Sequence, residues 1–310
     1  MSSSQKVKKE KILVLKGGFS SEKEVSLESA RCVEKALDSL GYRYISFDLI
    51  NGIKELITLI ETEKPTLVFN ALHGGWGENG SIPALLNMLQ VPYTHSGVLA
   101  SALAMNKHET KKIAQNLDVD VAKGELVRGS YFKTKETLDF DAVIKPNQEG
   151  SSVGVYILKK GEALPSNLKN EKEDAFFLVE EYIKGREFSV AVTDEEALGI
   201  IEIVPKTGFY DYEHKYKNGL TDHIVPMDLS STVKDTLMQN AFKMHKALGC
   251  KGVSRSDFRY DSSTGRVVFL ELNANPGMTD LSLVPEMALQ KGISYQVLVE
   301  MLIKKAGFEK

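Results

Sequence analysis

Cysteine, tryptophan and long apolar runs are all scarce in this sequence. Its 310 residues include only two cysteines, Cys32 and Cys250, and one tryptophan. Two distant cysteines give neither a disulfide framework nor the ligand spacing of a zinc site. Together with the lack of a secretory signal pattern, they predict a reducing, cytoplasmic setting. No apolar run is long enough to cross a lipid bilayer, so no membrane partner is expected.

Charge and glycine spacing exclude further classes of protein. Lysine and arginine number 39 against 42 aspartates and glutamates, which leaves a net charge of −3. A general nucleic-acid binder carries a basic surplus, so no nucleic-acid partner is expected. The dinucleotide fingerprint G-x-G-x-x-G is missing, which disfavours an NAD-dependent dehydrogenase, and the P-loop G-x-x-x-x-G-K-[ST] is missing too.

Strand and helix patterns alternate in the first third of the chain. Strands are predicted at 12–15, 42–48, 66–70 and 91–93, with helices near 21–40, 53–63 and 80–89. This order predicts an α/β fold that begins with a small Rossmann-like parallel-sheet domain over residues 1–100, with a frayed tail at 1–10. Ligands are expected where its strands run into loops.

Two features of this part are candidate functional or capping elements. Ser21-Glu22-Lys23-Glu24 matches a capping box, which would begin the first helix at Ser21. His73 follows the third strand and precedes a run of glycines, whose backbone lets a ligand approach closely. We interpret His73 either as a structural histidine or as a binding residue.

Antiparallel patterns with α+β character follow, in two expected domains at 101–187 and 188–310. The loop 147–154 is rich in glycine and serine, so its N–H groups could hold phosphate, with Lys145 and Lys107 in reach. The apolar strand at 176–181 leads into a link that suits an adenine slot, although it also fits a core strand. The aromatic loop 206–219 predicts a lid.

A polar hairpin near the C-terminal end predicts a metal site. With Ser263-Thr264-Gly265 as its loop, Ser262 faces Arg266, Asp257 faces Glu271 and Arg255 faces Asn273. Facing carboxylates repel each other. Either a hard cation such as Mg²⁺, which prefers oxygen ligands, removes the repulsion, or Arg255 bridges the two carboxylates.

Taken together, these stretches resemble the ATP-grasp ligases, and closely the D-alanine–D-alanine ligase family, over about residues 11–306. The motifs that carry the resemblance are 17–18 with 20–27, 71–74, 145–146 with 149–154, 210–213 with 215–216, Arg255 with Asp257, and 271–273 with 276–279. The resemblance implies an ATP-grasp fold after the Rossmann-like domain. It also implies that ATP phosphorylates one D-alanine to an acyl phosphate, which a second D-alanine attacks, and that the protein is a homodimer.

The resemblance also assigns roles to residues of this chain. It implies ATP contacts from Lys107, Lys145, Glu180, Glu181, Ile183, Glu187, Phe209 and Lys215. It implies Mg²⁺ ligands, with Mn²⁺ as a substitute, at Asp257, Glu271 and Asn273. It implies catalytic roles for Glu24, Ser151, Tyr216, Arg255 and Gly277. It also implies that His73 and Ser282 bind substrate carboxylates. In these roles Glu24 faces the ammonium of the first D-alanine, and Arg255 with the Gly277 N–H stabilises the acyl oxygen.

Two alternatives stay open on the sequence. A ligase that makes D-alanyl-D-lactate would share most of these motifs, but its lid would lack the Lys-Tyr pair found here at 215–216. An ATP-binding regulatory module would share the fold without the chemistry, and retention of Arg255, Asp257, Glu271 and Asn273 argues against it. The regulatory module requires that no ADP is released on addition of D-alanine, and comparable turnover with D-alanine and D-lactate as acceptors would contradict a preference for D-alanine.

Overall fold

The computed structural model describes residues 10–151, 153–206 and 220–309. Its N-terminal part is a parallel sheet in which β1 (Lys11–Lys16) lies between β2 (Arg43–Asp48) and β3 (Leu67–Asn70). The helices of this part are α1 (Lys23–Leu40), α2 (Ile53–Glu63), α3 (Ser81–Met88) and α4 (Val98–Met105), with 3-10 turns at Leu49–Asn51 and Gly75–Gly77. The predicted Rossmann-like unit is confirmed, while α4 was not predicted.

The predicted fourth parallel strand is reduced to a single residue. Tyr93 forms one parallel bridge to Val68 and one antiparallel bridge to Gly307. Pro92 precedes Tyr93 and has no N–H to donate, which limits pairing here. The sheet therefore has three full strands among the described residues.

A four-stranded antiparallel sheet forms the middle of the chain. Its strands are β4 (Gly124–Arg128), β5 (Ala142–Pro146), β6 (Tyr156–Leu158) and β7 (Phe176–Glu181), in the order β4-β7-β5-β6. The helices here are α5 (Lys107–Asn116) and α6 (Ser166–Lys169), with a 3-10 turn at Gly129–Lys133. Strand β4 was not predicted, because most of its side chains are exposed or half-buried and show no apolar pattern.

A five-stranded antiparallel sheet forms the C-terminal part. Its strands are β8 (Arg186–Thr193), β9 (Ala197–Pro205), β10 (Thr221–Ile224), β11 (Val253–Asp261) and β12 (Arg266–Asn273), in the order β10-β9-β8-β11-β12. The helices are α7 (Ser231–Leu248), α8 (Leu283–Gln290) and α9 (Tyr295–Lys305). Among the described residues, no helix is both long and apolar enough to span a membrane.

Side chains of β1 alternate between two cores, as expected for a buried strand. Ile12 and Val14 join a cluster that contains residues of both α1 and α9. Leu13 and Leu15 join a second cluster with α2 and α3. Because the last helix packs on the first, N- and C-terminal segments share one core. The domain division at residues 100 and 187 stays a prediction.

The start of α1 corrects the predicted capping box. The helix begins at Lys23, with Glu22 at the N-cap position and no side-chain capping bond. Ser20 acts nearby instead, since its Oγ accepts from the N–H of Glu22 at 3.2 Å and donates to the carbonyl of His73. The predicted end is confirmed: Gly41 has φ 74° and its N–H bonds to the carbonyl of Asp38.

The hairpin β11–β12 has the predicted register at its polar end but not at its tip. Asp257 pairs with Glu271, and Arg255 pairs with Asn273, as predicted. At the tip Asp261, not Ser262, pairs with Arg266, because the Asp261 carboxylate accepts from the N–H of Ser263 at 2.9 Å and closes a longer turn. A β-bulge restores the register.

The bulge lies at Leu270. Phe258 pairs with Phe269 while Asp257 pairs with Glu271, so Leu270 has no partner in β11. Strict alternation along the strands would place Leu270 on the core face with Phe258, but Leu270 lines a cavity instead. Phe258 is fully buried in the core. The extra residue thus turns one apolar side chain toward the site described next.

Candidate functional site

The first of two adjoining cavities lies between the four-stranded sheet and the hairpin β11–β12. Its lining includes Lys107, Lys145, Glu180, Glu181, Ile183 and Glu187, the six described residues that were expected to contact ATP. Apolar side chains complete the wall, among them Val143, Ile157 and Leu270. The structure brings these six residues together, and their contacts with a nucleotide stay a prediction.

Glu180, which lines the first cavity, is a buried carboxylate that lies between two lysines. Glu180 accepts from Lys145 Nζ at 3.1 Å and from Lys111 Nζ. Burial alone would raise the pKa of Glu180, but the two lysines overcome burial and lower it. Burial opposes the charge of Lys145 as well, yet Glu180 and Glu271 raise the pKa of that ammonium.

Lys111 is a functional candidate that the sequence analysis missed. Burial, reinforced by the neighbouring charge of Lys145, lowers the pKa of Lys111 to about 7. Lys111 lies four residues after Lys107 on α5, so both lysines share one face of the helix. That spacing was available in the sequence, but only the fold brings Lys111 against Glu180.

Carboxylates of the hairpin have cationic partners within the protein. Asp257 Oδ1 and Oδ2 accept from Arg255 Nε and Nη2 at 2.9 and 2.8 Å, and Asp257 also accepts from the Ser189 hydroxyl. Glu271 lies 3.5 Å from Lys107 Nζ. Arg255 therefore binds one of the two facing carboxylates, Asp257. The interpretation without a metal expected Arg255 to bridge both carboxylates. The repulsion argument alone does not require a metal.

The same residues fit a hard cation by their chemistry. Asp257 and Glu271 face each other in register and line the first cavity. Asn273, two residues after Glu271, lines the second cavity. Asn273 Oδ1 accepts from the N–H of Asn275 at 2.9 Å, which fixes the amide. These donors are all oxygens, the ligands that Mg²⁺ prefers.

The second cavity collects residues from all three sheets and their loops. Of the residues expected to bind or activate substrate, those that line it are His73, Ser151, Arg255, Gly277 and Ser282. Lys107, Glu149 and Glu271 line both cavities. The two cavities therefore adjoin at a charged junction.

Glu22, not Glu24, reaches the second cavity. Glu22 is buried and lines the cavity, whereas Glu24 is exposed and does not line it. The hydroxyl of Ser151 donates to Glu22 Oε1. Because α1 begins at Lys23, Glu24 points away on its first turn. The assignment of Glu24 is thus wrong in this structure, and its neighbour two residues earlier is the candidate.

Two glycines make room for the Glu22 carboxylate. A methyl group at Gly74 would lie 2.7 Å from Glu22 Oε2, and one at Gly150 would lie 3.0 Å from the same atom. Ser151, which follows, has φ 49°, an uncommon value for a residue other than glycine. Such strain often occurs at functional sites. The glycine-rich loops after β3 and β5 therefore meet around one carboxylate.

His73 is held by protein groups at both ring nitrogens. Nδ1 lies 3.3 Å from Glu78 Oε1, and Nε2 lies 2.9 Å from Ser29 Oγ. His73 is 3% exposed and Glu78 is 9% exposed. In this arrangement the imidazole forms part of the cavity wall, and neither ring nitrogen is left over for a substrate carboxylate.

Ser282 is fixed within its own turn. Its Oγ accepts from the N–H of Thr279 at 2.9 Å and lies 2.8 Å from Thr279 Oγ1. A methyl group at Gly277 would lie 2.8 Å from the same Oγ. Gly277 and Ser282 thus have interdependent positions in the loop that follows β12.

Comparison with known proteins decides the family. The family model described as D-ala D-ala ligase C-terminus matches residues 115–304. The D-alanine–D-alanine ligase of Wolbachia pipientis wMel is 46% identical over 94% of this chain and 93% of that protein. This chain belongs to the D-alanine–D-alanine ligase family. The ligase of Zymomonas mobilis subsp. mobilis is 43% identical, over 96% of this chain and 94% of that protein.

Solved structures of the D-alanine–D-alanine ligase family share the whole fold. A D-alanine–D-alanine ligase from Bacillus anthracis complexed with ATP matches with a TM-score of 0.80 and 29% identity, over 96% of this chain and 97% of that one. The VanG D-Ala:D-Ser ligase from Enterococcus faecalis matches with a TM-score of 0.77 and 27% identity, over 96% of this chain and 99% of that one. The resemblance and the ATP-grasp fold class inferred from the sequence are confirmed.

Three predicted site residues fall outside the part of the chain that the structure describes. They are Phe209 and Lys215, expected to contact ATP, and Tyr216, expected to act with Ser151. The lid expected over 206–219 shares this segment, of which only Lys206 is described. These expectations stay predictions.

Proposed function

We propose that this protein joins two D-alanine molecules into D-alanyl-D-alanine for peptidoglycan precursor synthesis, converting ATP to ADP and phosphate. The observation that carries the proposal is the pair of adjoining cavities that share Lys107, Glu149 and Glu271. A nucleotide in the first cavity directs its phosphates to this junction, beside an amino acid in the second. The carboxylate of one D-alanine takes the γ-phosphoryl group, and the amine of the second displaces phosphate from the acyl carbon.

Charges in the first cavity support its role as the ATP site. Lys107 and Lys145 supply cations to the phosphates, and both are buried, so their charges are weakly screened by solvent. The apolar wall that includes Val143, Ile157 and Leu270 suits the faces of adenine. Glu180, Glu181, Ile183 and Glu187 border the adenine and ribose.

Groups in the second cavity support its role as the amino acid site. The Glu22 carboxylate binds the ammonium of the first D-alanine, and the Ser151 hydroxyl orients that carboxylate. Arg255, with its guanidinium fixed by two bonds to Asp257, and the N–H of Gly277 face the acyl oxygen that gains negative charge. Loss of one such donor typically costs about 10²–10³ in turnover. His73 shapes the wall, and Ser282 contributes a hydroxyl to a substrate carboxylate.

A divalent cation belongs with the nucleotide in this proposal. Asp257, Glu271 and Asn273 would hold Mg²⁺, with Mn²⁺ as a substitute, because all three offer oxygen donors beside the junction. The ion supplies positive charge to the phosphates when bound. Removal of divalent cations with a chelator should therefore stop ADP release, and either ion should restore it.

The second substrate is the finer part of the proposal. A relative of the same fold carries a name that specifies D-serine, the VanG D-Ala:D-Ser ligase, and a D-lactate acceptor was considered from the sequence. D-Alanine is proposed because the most similar relatives reported above are D-alanine–D-alanine ligases. A non-catalytic ATP-binding module of the same fold is the remaining alternative.

An ADP-release assay tests the proposal. The protein is supplied with ATP and Mg²⁺, and D-alanine, L-alanine, D-serine or D-lactate is added, the last two together with limiting D-alanine. We expect ADP release and a dipeptide of the mass of D-alanyl-D-alanine with D-alanine alone. Faster turnover with D-serine or D-lactate as acceptor contradicts the proposed specificity. No ADP release with any of them supports the non-catalytic alternative.

Family membership also supports three proposals that the cavities do not address. The protein works as a homodimer in the cytoplasm, and its chain divides into domains at 1–100, 101–187 and 188–310. Light scattering after gel filtration tests the homodimer, because the mass of a single chain at micromolar protein concentration would contradict it. Limited proteolysis tests the domain division, because cleavage is expected near residues 100 and 187.

A further inference from the structure

One buried hydroxyl on α1 connects two loops that both line the second cavity. Ser29 is fully buried. Its Oγ lies 2.9 Å from Nε2 of His73, in the loop after β3, and accepts from the N–H of Met278 at 3.2 Å, in the loop after β12. These partners lie 44 and 249 residues from Ser29 in the sequence. No motif noted in the sequence assigned a role to Ser29.

The direction of each hydrogen bond follows from the groups at the two ends. An ionised carboxylate only accepts hydrogen bonds, so Glu78 requires a proton on Nδ1 of His73. In a neutral ring with this tautomer, Nε2 is an acceptor and the Ser29 hydroxyl donates to it. The oxygen of the same hydroxyl accepts from the backbone of Met278. Ser29 therefore uses its single proton on His73 and a lone pair on Met278.

Both partners adjoin groups with assigned roles in the reaction. His73 forms the cavity wall next to Glu22, and Met278 directly follows Gly277, whose N–H faces the acyl oxygen. A displaced Met278 N–H turns the neighbouring peptide unit, and small displacements of reacting groups are costly. One side chain thus fixes the position of a substrate-side wall and of the peptide after the oxyanion donor.

We propose that Ser29 is a positioning residue that couples His73 to the Gly277–Met278 peptide. The inference rests on the proposed function for its catalytic consequence, but the hydrogen-bond relay itself does not. Tyr295 holds the same loop from the other side, since its hydroxyl donates to the carbonyl of Met278 at 2.7 Å. Removal of the Ser29 hydroxyl therefore loosens the loop without releasing it.

Ser26 provides a matched control on the same helix. It is also fully buried, and its hydroxyl also makes two hydrogen bonds: it accepts from the N–H of Gly17 and donates to the carbonyl of Ala71, both at 2.8 Å. Neither of these partners lines the second cavity. Ser26→Ala and Ser29→Ala thus each remove one buried hydroxyl that makes two hydrogen bonds. The Ser26 hydroxyl bonds to backbone groups after β1 and β3, whereas the Ser29 hydroxyl bonds to loops that line the site.

Kinetics of the two alanine variants test the coupling. We expect Ser29→Ala to lower kcat/KM for D-alanine at least tenfold while KM for ATP changes less than threefold. Ser26→Ala should lower the melting temperature as much as Ser29→Ala does, but it should lower kcat/KM for D-alanine less than threefold. Equal kinetic losses in the two variants overturn the proposal. An unaltered Ser29→Ala enzyme overturns it as well.

Nitrogen NMR tests the relay without any turnover. In the wild-type protein labelled with ¹⁵N-histidine, the His73 ring, assigned by its loss in His73→Gln, should show the Nδ1–H tautomer. Ser29→Ala should shift its Nε2 resonance, and Ser26→Ala should not. A wild-type Nε2–H tautomer overturns the proposal. If the wild-type protein releases no ADP with D-alanine, the proposed function fails, and this spectrum still decides the relay.

Discussion

Glu22→Gln, compared with Glu24→Gln, is the most direct test of the amino acid site. The two glutamates lie two residues apart, one buried beside Ser151 and one exposed on the first turn of α1. The amide of Glu22→Gln keeps a hydrogen-bonding group for Ser151 and nearly the same volume. It removes the negative charge that the substrate ammonium needs. Folding should therefore be preserved while binding and turnover of D-alanine decline.

The size of the effect follows from the burial of the carboxylate. A hydrogen bond to a charged group is worth about 1.5–3 kcal/mol, and about 1.4 kcal/mol corresponds to a factor of ten. We expect kcat/KM for D-alanine to fall about 10- to 150-fold in Glu22→Gln. Glu24 is exposed and lines neither cavity, and an exposed substitution typically changes stability by at most about 0.5 kcal/mol. Glu24→Gln should therefore leave both the fold and kcat/KM for D-alanine nearly unchanged.

The assay is D-alanine-dependent ADP release at saturating ATP, with KM for ATP measured separately. ATP binding should be unaltered in both variants, because neither glutamate lines the first cavity. A Glu24→Gln variant as impaired as Glu22→Gln would refute the reasoning. So would a Glu22→Gln enzyme within twofold of wild type with a normal melting temperature.

Three further predictions concern the junction and its surroundings. Gly277→Ala places a methyl group 2.8 Å from Ser282 Oγ, so kcat/KM for D-alanine should fall roughly 10- to 100-fold; an unchanged value contradicts the proposed oxyanion site. Glu271→Gln should raise the Mg²⁺ concentration for half-maximal rate about tenfold or more, and an unaltered Mg²⁺ titration excludes Glu271 as a ligand. Because burial lowers the pKa of Lys111 to about 7, its ammonium is present below that pH and lost above it. Lys111 lines neither cavity itself but pairs with Glu180, which lines the first. Phosphates bound in that cavity favour the nearby ammonium, so ATP binding at pH 7–8 should take up protons and weaken as pH rises. Calorimetry in buffers of different ionisation heat measures this proton uptake, and Lys111→Met should abolish it. If the full uptake persists in that variant, Lys111 is not the group that takes up the proton.

Strand alternation was enough to predict the polar end of the hairpin. Asp257 faces Glu271 because both carboxylates occupy one face of neighbouring strands, a relation that depends only on the register. The tip could not be predicted, since Asp261 closes a longer turn with its own side chain. The bulge at Leu270 compensates for the extra loop residue. Sequence periodicity does not contain such compensating irregularities.

The structure distinguishes Glu22 from Glu24 by where the first helix begins. Both glutamates lie in the segment Ser21-Glu22-Lys23-Glu24, which matches a capping box. The resemblance assigned the substrate ammonium to Glu24, whereas the helix start at Lys23 leaves Glu22 beside Gly150 and Ser151. Boundaries of this precision are set by tertiary contacts, here the loop after β5.

Buried polar partners were the part of the site that local patterns could not supply. Lys111 and Ser29 look like ordinary helical residues in the sequence. Their significance comes from partners 69 and 44 residues away, Glu180 and His73. Conversely, the grouping around one cavity of the residues proposed for the nucleotide, on β5, β7 and the link to β8, could be predicted, because a family motif and an apolar strand pattern coincide there. Their contacts with a nucleotide stay a prediction.

Charge pairing at the junction changes how metal binding should be understood. From the sequence, either a hard cation or a bridge by Arg255 could remove the repulsion between the facing carboxylates. In the structure Asp257 pairs with Arg255, and Glu271 pairs with Lys107. A cation that binds alone must therefore compete with ammonium and guanidinium groups already in place. A nucleotide brings phosphates that can take over Lys107 and Lys145, and this frees carboxylate oxygens for the metal. If Asp257 and Glu271 hold Mg²⁺ as proposed, this exchange of partners would favour entry of the ion together with ATP.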